Sequence, residues 1–192
     1  MATTRENKTI SQFKSQLIGG GARPNLFEVE LTTLPAGIAW PADNFRYMCK
    51  AAQLPASVIA NIDIPFRGRI FKVAGDRTIE PWSITIINDE DFRIRKAMEE
   101  WVDLIAKLEN NLGATDPNAY MVNAKVFQLG RGSTPSSKNN AGDRNAVLRE
   151  YEFIDIFPTS VSSIDLSYDS SDTIEEFTVD FAVQSFAFVD AG

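Results

Sequence analysis

The spacing of apolar residues constrains the fold most, because along much of the chain it follows the period of a β-strand. Phe27, Val29 and Leu31 alternate with Glu28 and Glu30. Successive side chains of a strand point to opposite faces, so this alternation predicts a strand with one buried face. Similar patterns predict further strands over 45–51, 62–66, 70–73, 82–87, 120–129, 148–157, 161–168 and 173–189.

Glycine, proline and short polar residues separate these predicted strands. Gly68 predicts a bend or turn, and Gly75-Asp76 predicts a second turn. Pro158 predicts the end of the strand over 148–157, because proline cannot donate a ladder hydrogen bond. The polar residues 169–172 predict the connection between the last two strands.

One long segment has the period of an α-helix instead. Apolar residues recur every three or four positions from Ile94 to Leu112, which places them on one helix face. Asn88 and Asp91 have the spacing of a capping box, and Gly113 stands where a glycine commonly follows a helix. The sequence therefore predicts a single long helix.

Many strands and one helix define the predicted fold class. We expect a mainly β (α+β) protein, an antiparallel β-sandwich or barrel with one flanking α-helix. Residues 1–23 read as a polar N-terminal arm, with a short helix at 11–18 that the following glycines end. Residues 24–192 form the main domain, and 130–145 is predicted to be a mobile inserted loop because it lacks hydrophobic periodicity.

The absence of histidine limits the chemistry open to the chain. With no histidine and a single cysteine, Cys49, the sequence excludes a Ser-His-Asp triad and a structural zinc site. We expect Cys49 to be a small buried hydrophobe. The net charge of −7 argues against a protein that binds nucleic acid through its phosphates, because such binding requires clustered Lys and Arg. No cofactor and no metal is expected.

Carboxylate chemistry is the one enzymatic alternative that the composition leaves open. Pairs of acidic residues occur at Asp89 with Asp91, Glu99 with Glu100 and Glu175 with Glu176. Paired carboxylates can serve a hydrolase as acid and base. Helix caps and solvated helix faces account for these pairs more simply, so we expect no catalytic residues.

The chain shows no apolar run long enough to span a bilayer, and its first residues lack the apolar segment of a secretory signal. We therefore expect synthesis in the cytoplasm and no membrane insertion.

An ordered set of short motifs resembles a known family. The set is Ala22-Arg23-Pro24-Asn25-Leu26-Phe27, Cys49-Lys50-Ala51, Leu54-Pro55-Ala56, Val73-Ala74-Gly75-Asp76-Arg77-Thr78, Trp82, Asn88-Asp89-Glu90-Asp91, Phe157-Pro158-Thr159-Ser160-Val161, Leu166, Asp169-Ser170 and 174–181. In order and spacing it is similar to the tail tube proteins of T-even-type contractile phages. The resemblance covers roughly 22–188, and the departures are the polar arm and the loop at 130–145.

The resemblance implies a structural virion protein that forms stacked hexameric rings, the inner tail tube through which double-stranded DNA is ejected. It also implies sheets shared between subunits, and as partners a tail sheath, a baseplate, a tape-measure protein and a tail terminator. The alternatives are a tube-terminator or adaptor ring, and the inner tube of a contractile secretion or bacteriocin system.

Candidate site residues follow from this expectation. An acidic wall repels phosphates and leaves DNA free to slide, so polar strand faces supply candidate lumen acids: Glu28, Glu30, Asp63, Glu150, Glu152 and Asp180. Candidate inter-subunit contacts are Trp40, Arg67, Arg69 and Arg77. The segments 51–76 and 130–145 are predicted to become ordered on stacking, with ordinary surface loops as the alternative.

Overall fold

A computed structural model describes residues 9–17, 21–31, 33–110, 112–131 and 147–190. Most of the predicted loop at 130–145 and the first eight residues of the arm lie outside these ranges. The elements in chain order are α1 (Ile10–Gln16), β1 (Phe27–Glu30), α2 (Ala42–Met48), β2 (Cys49–Ala52), β3 (Ser57–Phe66), β4 (Arg69–Ile79), β5 (Trp82–Ile87), α3 (Arg93–Ile105), a 3-10 turn (Pro117–Ala119), β6 (Val122–Leu129), β7 (Val147–Val161) and β8 (Glu176–Asp190).

Six of the strands form one antiparallel sheet in the order β1-β6-β7-β8-β5-β2. The two edge strands, β1 and β2, also approach each other, so the sheet curls into a nearly closed barrel. This confirms the predicted mainly β fold. None of the helices in the described ranges is long and apolar enough to cross a membrane.

The core lies inside the curled sheet, beneath helix α3. Trp82 of β5 stacks on Phe153 of β7 with ring centroids 4.4 Å apart, and both are buried. Trp101 of α3 contacts Phe181 of β8 and is fully buried. Trp82 and Trp101 are therefore both core residues.

Strands β3 and β4 form a separate two-stranded sheet, a long hairpin outside the barrel. Arg67 and Gly68 make its turn, both with positive φ, as the prediction of a turn at Gly68 requires. The predicted turn at Gly75-Asp76 is wrong, because both residues lie inside β4. The register shifts on the facing strand between Ile59 and Asn61, so this stretch is a β-bulge. A Cβ on Gly75 would lie 3.0 Å from the Ala60 carbonyl oxygen, which explains the glycine.

The predicted long helix is present, but it is shorter at its C-terminal end. Helix α3 stops at Ile105, and Leu108 beyond it is 97% exposed. The capping box is also wrong, because the N-cap residue is Phe92 in the left-handed region and makes no side-chain cap. Asn88 instead donates from Nδ2 to Glu175 at 2.9 Å, which joins the end of β5 to the start of β8.

Three strand predictions need correction. The segment 45–51 is mostly helix α2, whose buried Phe45 packs against Trp40. Strand β7 continues through Pro158, because its pairing with β6 has already ended at Ile156, so no ladder donor is needed on that side. The segment 161–168 leaves the sheet after its first residue and forms a loop.

Candidate functional site

Four of the predicted lumen acids lie on the face of the sheet that points away from the core. Glu28 and Glu30 alternate along β1 with the buried Val29, and Glu150 and Glu152 lie on β7. The register aligns them across β6, since Lys125 pairs with Glu30 on one side and Glu152 on the other. Glu28, Glu30, Glu150 and Glu152 are called the acidic strip below.

Two basic side chains lie within the acidic strip. Arg46 of α2 contacts Glu30 at 2.6 Å and Glu28 at 3.4 Å. Lys125 of β6 donates to Glu150 at 2.8 Å. This hydrogen bond, followed by the charges of Glu150, Glu152 and Glu30, raises the pKa of Lys125 and keeps it protonated. With four carboxylates and two bases, the strip is negative as a whole.

The alternation of β6 could have predicted that Lys125 lies near the acidic strip. Val126 is buried, so its neighbour Lys125 points to the other face of the sheet, where the strip lies. Arg46 gave no such signal, since its segment was predicted as a strand.

The other two candidate lumen acids lie elsewhere. Asp63 is on the hairpin and pairs with Lys72 across the ladder at 3.6 Å. Asp180 of β8 accepts hydrogen bonds from the hydroxyls of Ser83 and Ser160. The structure therefore brings four of the six candidate residues together.

The hairpin carries an apolar face that no part of the chain within the described ranges covers. Cross-strand pairs place Ile62 beside Val73 and Ile64 beside Phe71, with Phe66 next along the same face. All five side chains are exposed. This surface, defined by Ile62, Ile64, Phe66, Phe71 and Val73, is called the hairpin face.

The predicted inter-subunit contacts fall into two groups. Arg67 and Arg69 lie exposed at the tip of the hairpin, while Arg77 lies near its base, donating to Ser57 and stacking over Phe186. Trp40 is half-buried against the core and donates from Nε1 to the Leu31 carbonyl. Contact with a second copy stays a prediction for all four residues.

The carboxylate pairs of the hydrolase alternative have local partners. Asp89 accepts from Asn44 and Asp91 pairs with Arg93, while Glu99 and Glu100 pair with bases one turn earlier on α3. Glu175 accepts from Asn88 and Glu176 pairs with Lys50. Such pairs are typical of caps and solvated faces.

Cys49 is buried as predicted. Burial raises the pKa of its thiol to about 12, so the reactive thiolate is scarce.

The nearly closed barrel, the flanking helix, the acidic strip and the exposed hairpin face together define a structural class, a barrel-like β protein with one exposed acidic surface and one exposed apolar surface. The chain belongs to the phage tail tube protein family, whose model matches residues 22–189. This family is a structural one, which agrees with the resemblance found in the sequence.

Curated relatives with clear sequence similarity to this chain are phage proteins. The chain is 34% identical over 165 residues to the tail tube protein gp19 of Enterobacteria phage T4, which covers 86% of this chain and 90% of that protein. It is 24% identical over 175 residues to the tail tube protein of Serratia phage KSP90, with 90% and 92% covered.

Solved structures share the fold at low sequence identity. The tube-terminating cap of the anti-feeding prophage matches with a TM-score of 0.58 at 17% identity, covering 100% of both chains. A chain of the baseplate of the same particle matches with a TM-score of 0.62 at 10% identity, covering 88% of this chain and 96% of that one. At such identities the likeness concerns the fold alone.

Proposed function

We propose that this chain assembles with copies of itself into hexameric rings, which stack into the inner tail tube of a contractile-tailed phage. The tube is the conduit through which the genome enters the host cell. Membership of the tail tube family supports the role as a tube protein. The exposed hairpin face is the main observation that supports self-association.

The hairpin face favours association because it is too apolar for a surface that stays in water. A contiguous exposed apolar patch commonly marks a contact site in soluble proteins. A two-stranded hairpin is also only marginally stable alone, so it gains order from a partner. The hairpin includes most of the segment 51–76, which the sequence marked as one that orders on stacking.

Strand segments that have no ladder partner on one side, among the residues that the structure describes, favour association as well. The pairing of β5 with β8 ends at Phe181, although β8 continues to Asp190. The pairing of β6 with β7 ends at Ile156, although β7 continues to Val161. Edges of this kind pair readily with strands of another chain. Neighbouring subunits that join there would extend the sheet around a ring.

The acidic strip supports the role of a conduit. Duplex DNA carries about one charge per 1.7 Å of its axis, so a wall of net negative charge repels it and keeps it from binding. We place the strip on the wall of the lumen. The proposed partners are the tail sheath outside the tube, the baseplate and the tail terminator at its ends, and a tape-measure protein inside before the DNA. In the mature particle the chain lies in the virion, after synthesis in the host cytoplasm.

One alternative with the same fold is a ring that terminates a tube, as in the tube-terminating cap of the anti-feeding prophage. A tube of a contractile secretion or bacteriocin system is related. Counting copies per particle separates a terminator from a tube, since a terminator forms one ring and a tube many.

A matched pair of hairpin substitutions tests self-assembly. Phe71 on the hairpin face and Ile70 on the opposite face are 64% and 63% exposed. Phe71→Ser should abolish pelleting of tubes in an ultracentrifuge, whereas Ile70→Ser should pellet like the unchanged chain. Equal pelleting of both variants would contradict a role for this face.

The acidic strip has its own test. Glu150→Lys combined with Glu152→Lys should slow DNA ejection from assembled particles several-fold, because the wall then attracts phosphates. Glu90→Lys with Glu109→Lys, at exposed positions outside the strip, is the control. Unchanged ejection kinetics for the first variant would show that the strip does not line the path of DNA.

A further inference from the structure

Helix α1 has an apolar face that no part of the chain within the described ranges covers. Ile10 and Phe13 of α1 and Leu17 directly after it have the three- and four-residue spacing of one helix face. They are 76%, 65% and 44% exposed, and no residue of α1 is buried. The helix precedes residues 22–189, which the family model matches, so its role does not follow from the family.

Helix α1 is too short to be stable without a partner. It spans seven residues, whereas isolated helices below about 12–15 residues are marginal in water. Its capping box, in which Thr9 and Gln12 exchange hydrogen bonds, satisfies backbone donors of the first turn but buries no apolar surface. The helix therefore requires a second surface that covers its apolar face.

The connection between β7 and β8 has exposed apolar side chains of its own. Residues 162–175, called the acidic loop, expose Leu166, Tyr168 and Ile174. Leu166 and Ile174 also line a cavity of about 340 Å³, together with polar residues of the loop. The cavity has room for an aromatic side chain.

The N-terminal arm and the acidic loop carry opposite charges. Residues 1–23 contain four basic residues and one acidic residue, a net charge of +3. The acidic loop contains four acidic residues and no basic one, a net charge of −4. Lys14 lies in the last turn of α1. Opposite charges across a contact steer encounter and fix the orientation of two partners.

The other exposed surfaces fit the arm less well. The hairpin is apolar, but residues 57–79 contain four basic and two acidic side chains, a net charge of +2. A groove beside α3 is bordered by two basic residues and one acidic residue of that helix. The acidic strip is negative, but Arg46 and Lys125 already pair with three of its four carboxylates. Among these surfaces the acidic loop alone combines exposed apolar side chains with unbalanced negative charge.

The arm joins the barrel far from the acidic loop of its own chain. The strand register aligns Phe27 of β1 with Gln128 of β6, Arg149 of β7 and Asp190 of β8. The acidic loop lies at the other end of β8, next to Glu176. A strand of 15 residues separates its two ends by about 45 Å.

The free part of the arm is shorter than this separation. Gln128 donates from Nε2 to the carbonyls of Arg23 and Leu26, which holds the chain where β1 begins. Seven residues lead from Arg23 back to Gln16, and they span at most about 25 Å. Helix α1 adds about 10 Å. The geometry therefore favours the acidic loop of a second copy over that of the same chain.

We propose that helix α1 of one copy docks on the acidic loop of a second copy. Phe13 enters the cavity, Ile10 and Leu17 contact the exposed apolar side chains of the loop, and Lys14 faces its carboxylates. This assignment rests on the proposed self-assembly and adds a tether from outside the barrel. Each copy gives one arm and receives another, because the arm and the loop are different surfaces of the same chain.

Disulfide trapping between two variants tests the contact in the full chain. Gln16→Cys in α1 and Ser171→Cys in the acidic loop are mixed in reducing buffer, one of them with a size tag, and then oxidised. The mixed dimer should exceed by about fivefold or more that from Gln16→Cys with Lys107→Cys, because a disulfide needs Cα atoms within about 7 Å. Lys107 is exposed and lies on neither surface. The native Cys49 is buried and contributes little background.

Substitutions at the contact test its chemistry. Phe13→Ser should lower the yield of mixed dimer about tenfold, because burial of the ring favours docking. Ser15→Ala, on the opposite side of α1, should leave the yield unchanged. Lys14→Glu should lower the yield, and Asp169→Lys in the receiving chain should restore it. Equal yields from Phe13→Ser and Ser15→Ala would overturn the role of the apolar face.

The outcomes separate this proposal from the proposed function. Tubes that form while the mixed dimer stays at the level of the Lys107→Cys control would overturn the docking of α1 and leave the tube role standing. A disulfide within the single chain that carries both Gln16→Cys and Ser171→Cys, without the mixed dimer, would also overturn it. Mixed dimers from a chain that forms neither rings nor tubes would support the docking and contradict the proposed function.

Discussion

Each tryptophan of the core is held by a hydrogen bond as well as by packing. Trp101 donates from Nε1 to the Tyr120 carbonyl at 2.8 Å, and Trp82 donates to the Gln53 carbonyl at 2.9 Å. A buried indole N–H without a partner is costly, so these bonds fix both rings. Periodicity predicted the strand that contains Trp82 and the apolar helix face that contains Trp101, but the hydrogen-bond partners of both rings come from loops that periodicity does not describe.

Truncation of the central tryptophan should be strongly destabilising. Trp101→Ala should lower the free energy of unfolding by about 3–5 kcal/mol, because it leaves a cavity among buried rings. Tyr47→Ala, at an exposed position on α2, should change it by less than about 0.5 kcal/mol. Urea denaturation of the unassembled chain measures both. A loss below about 1 kcal/mol for Trp101→Ala would contradict the packing described.

The buried thiol predicts a dependence of stability on pH. The pKa of Cys49 is raised from 9.0 to about 12 in the folded chain, so between these values the unfolded chain loses the proton and the folded chain keeps it. The contribution of this thiol to the free energy of unfolding is therefore fully present below pH 9 and is lost as the pH rises toward 12. Cys49→Ala should lack this part of the alkaline decline in urea titrations. The same decline in both chains would show that Cys49 does not cause it.

At the scale of elements, helix α3 shows where periodicity misleads. The apolar spacing continues from Trp101 through Ile105 to Leu108 and Leu112, yet the helix stops at Ile105. The Ala114 backbone N–H donates to the Leu104 carbonyl, and the Lys107 N–H donates to the Leu112 carbonyl. These bonds turn the chain back on the helix end. Such a terminal loop depends on backbone geometry, which an apolar pattern does not encode.

The end of α3 can be tested by comparing apolar residues on the two sides of it. Met98→Ala should cost about 2–5 kcal/mol of stability, since Met98 is fully buried. Leu108→Ala should cost less than about 0.5 kcal/mol, because its side chain already contacts water. Chemical denaturation of both variants provides the measurement. Comparable losses would mean that the helix continues past Ile105.

The hairpin shows a different limit of sequence reasoning. The alternation over 62–66 correctly predicted a strand, and a single-chain interpretation of that pattern expects a buried face. The structure leaves this face exposed, because an alternating pattern shows that a face needs cover and not which chain supplies it. The four members of the acidic strip were predictable by the same alternation. The ion pairs of Glu28 and Glu30 with Arg46 were not predictable, because those contacts depend on how α2 packs on β1.

At the scale of the molecule, the proposed function gives a role to three surfaces. In the proposed tube, the edges of β7 and β8 extend the sheet around a ring, another copy covers the hairpin face, and the acidic strip faces the channel. The exposed Arg67 and Arg69 at the hairpin tip carry charges that salt screens within about 10 Å at 0.1 M ionic strength. Apolar contacts are not weakened in this way.

The balance between charge and apolar contact predicts how salt affects assembly. Raising sodium chloride from 0.05 to 0.5 M should slow the elongation of tubes several-fold, because electrostatic steering is lost. Tubes that are already formed should persist, since the hairpin face holds them. Light scattering follows elongation, and sedimentation follows persistence. Elongation that is equally fast at both salt concentrations would contradict the role of charge.

Electron microscopy of the purified chain at increasing concentration tests the central claim most directly. The account predicts stacked rings of six subunits around an open channel, with the hairpin of each subunit covered by another copy. A chain that stays monomeric at high protein concentration, with its hairpin still exposed to solvent, would contradict it.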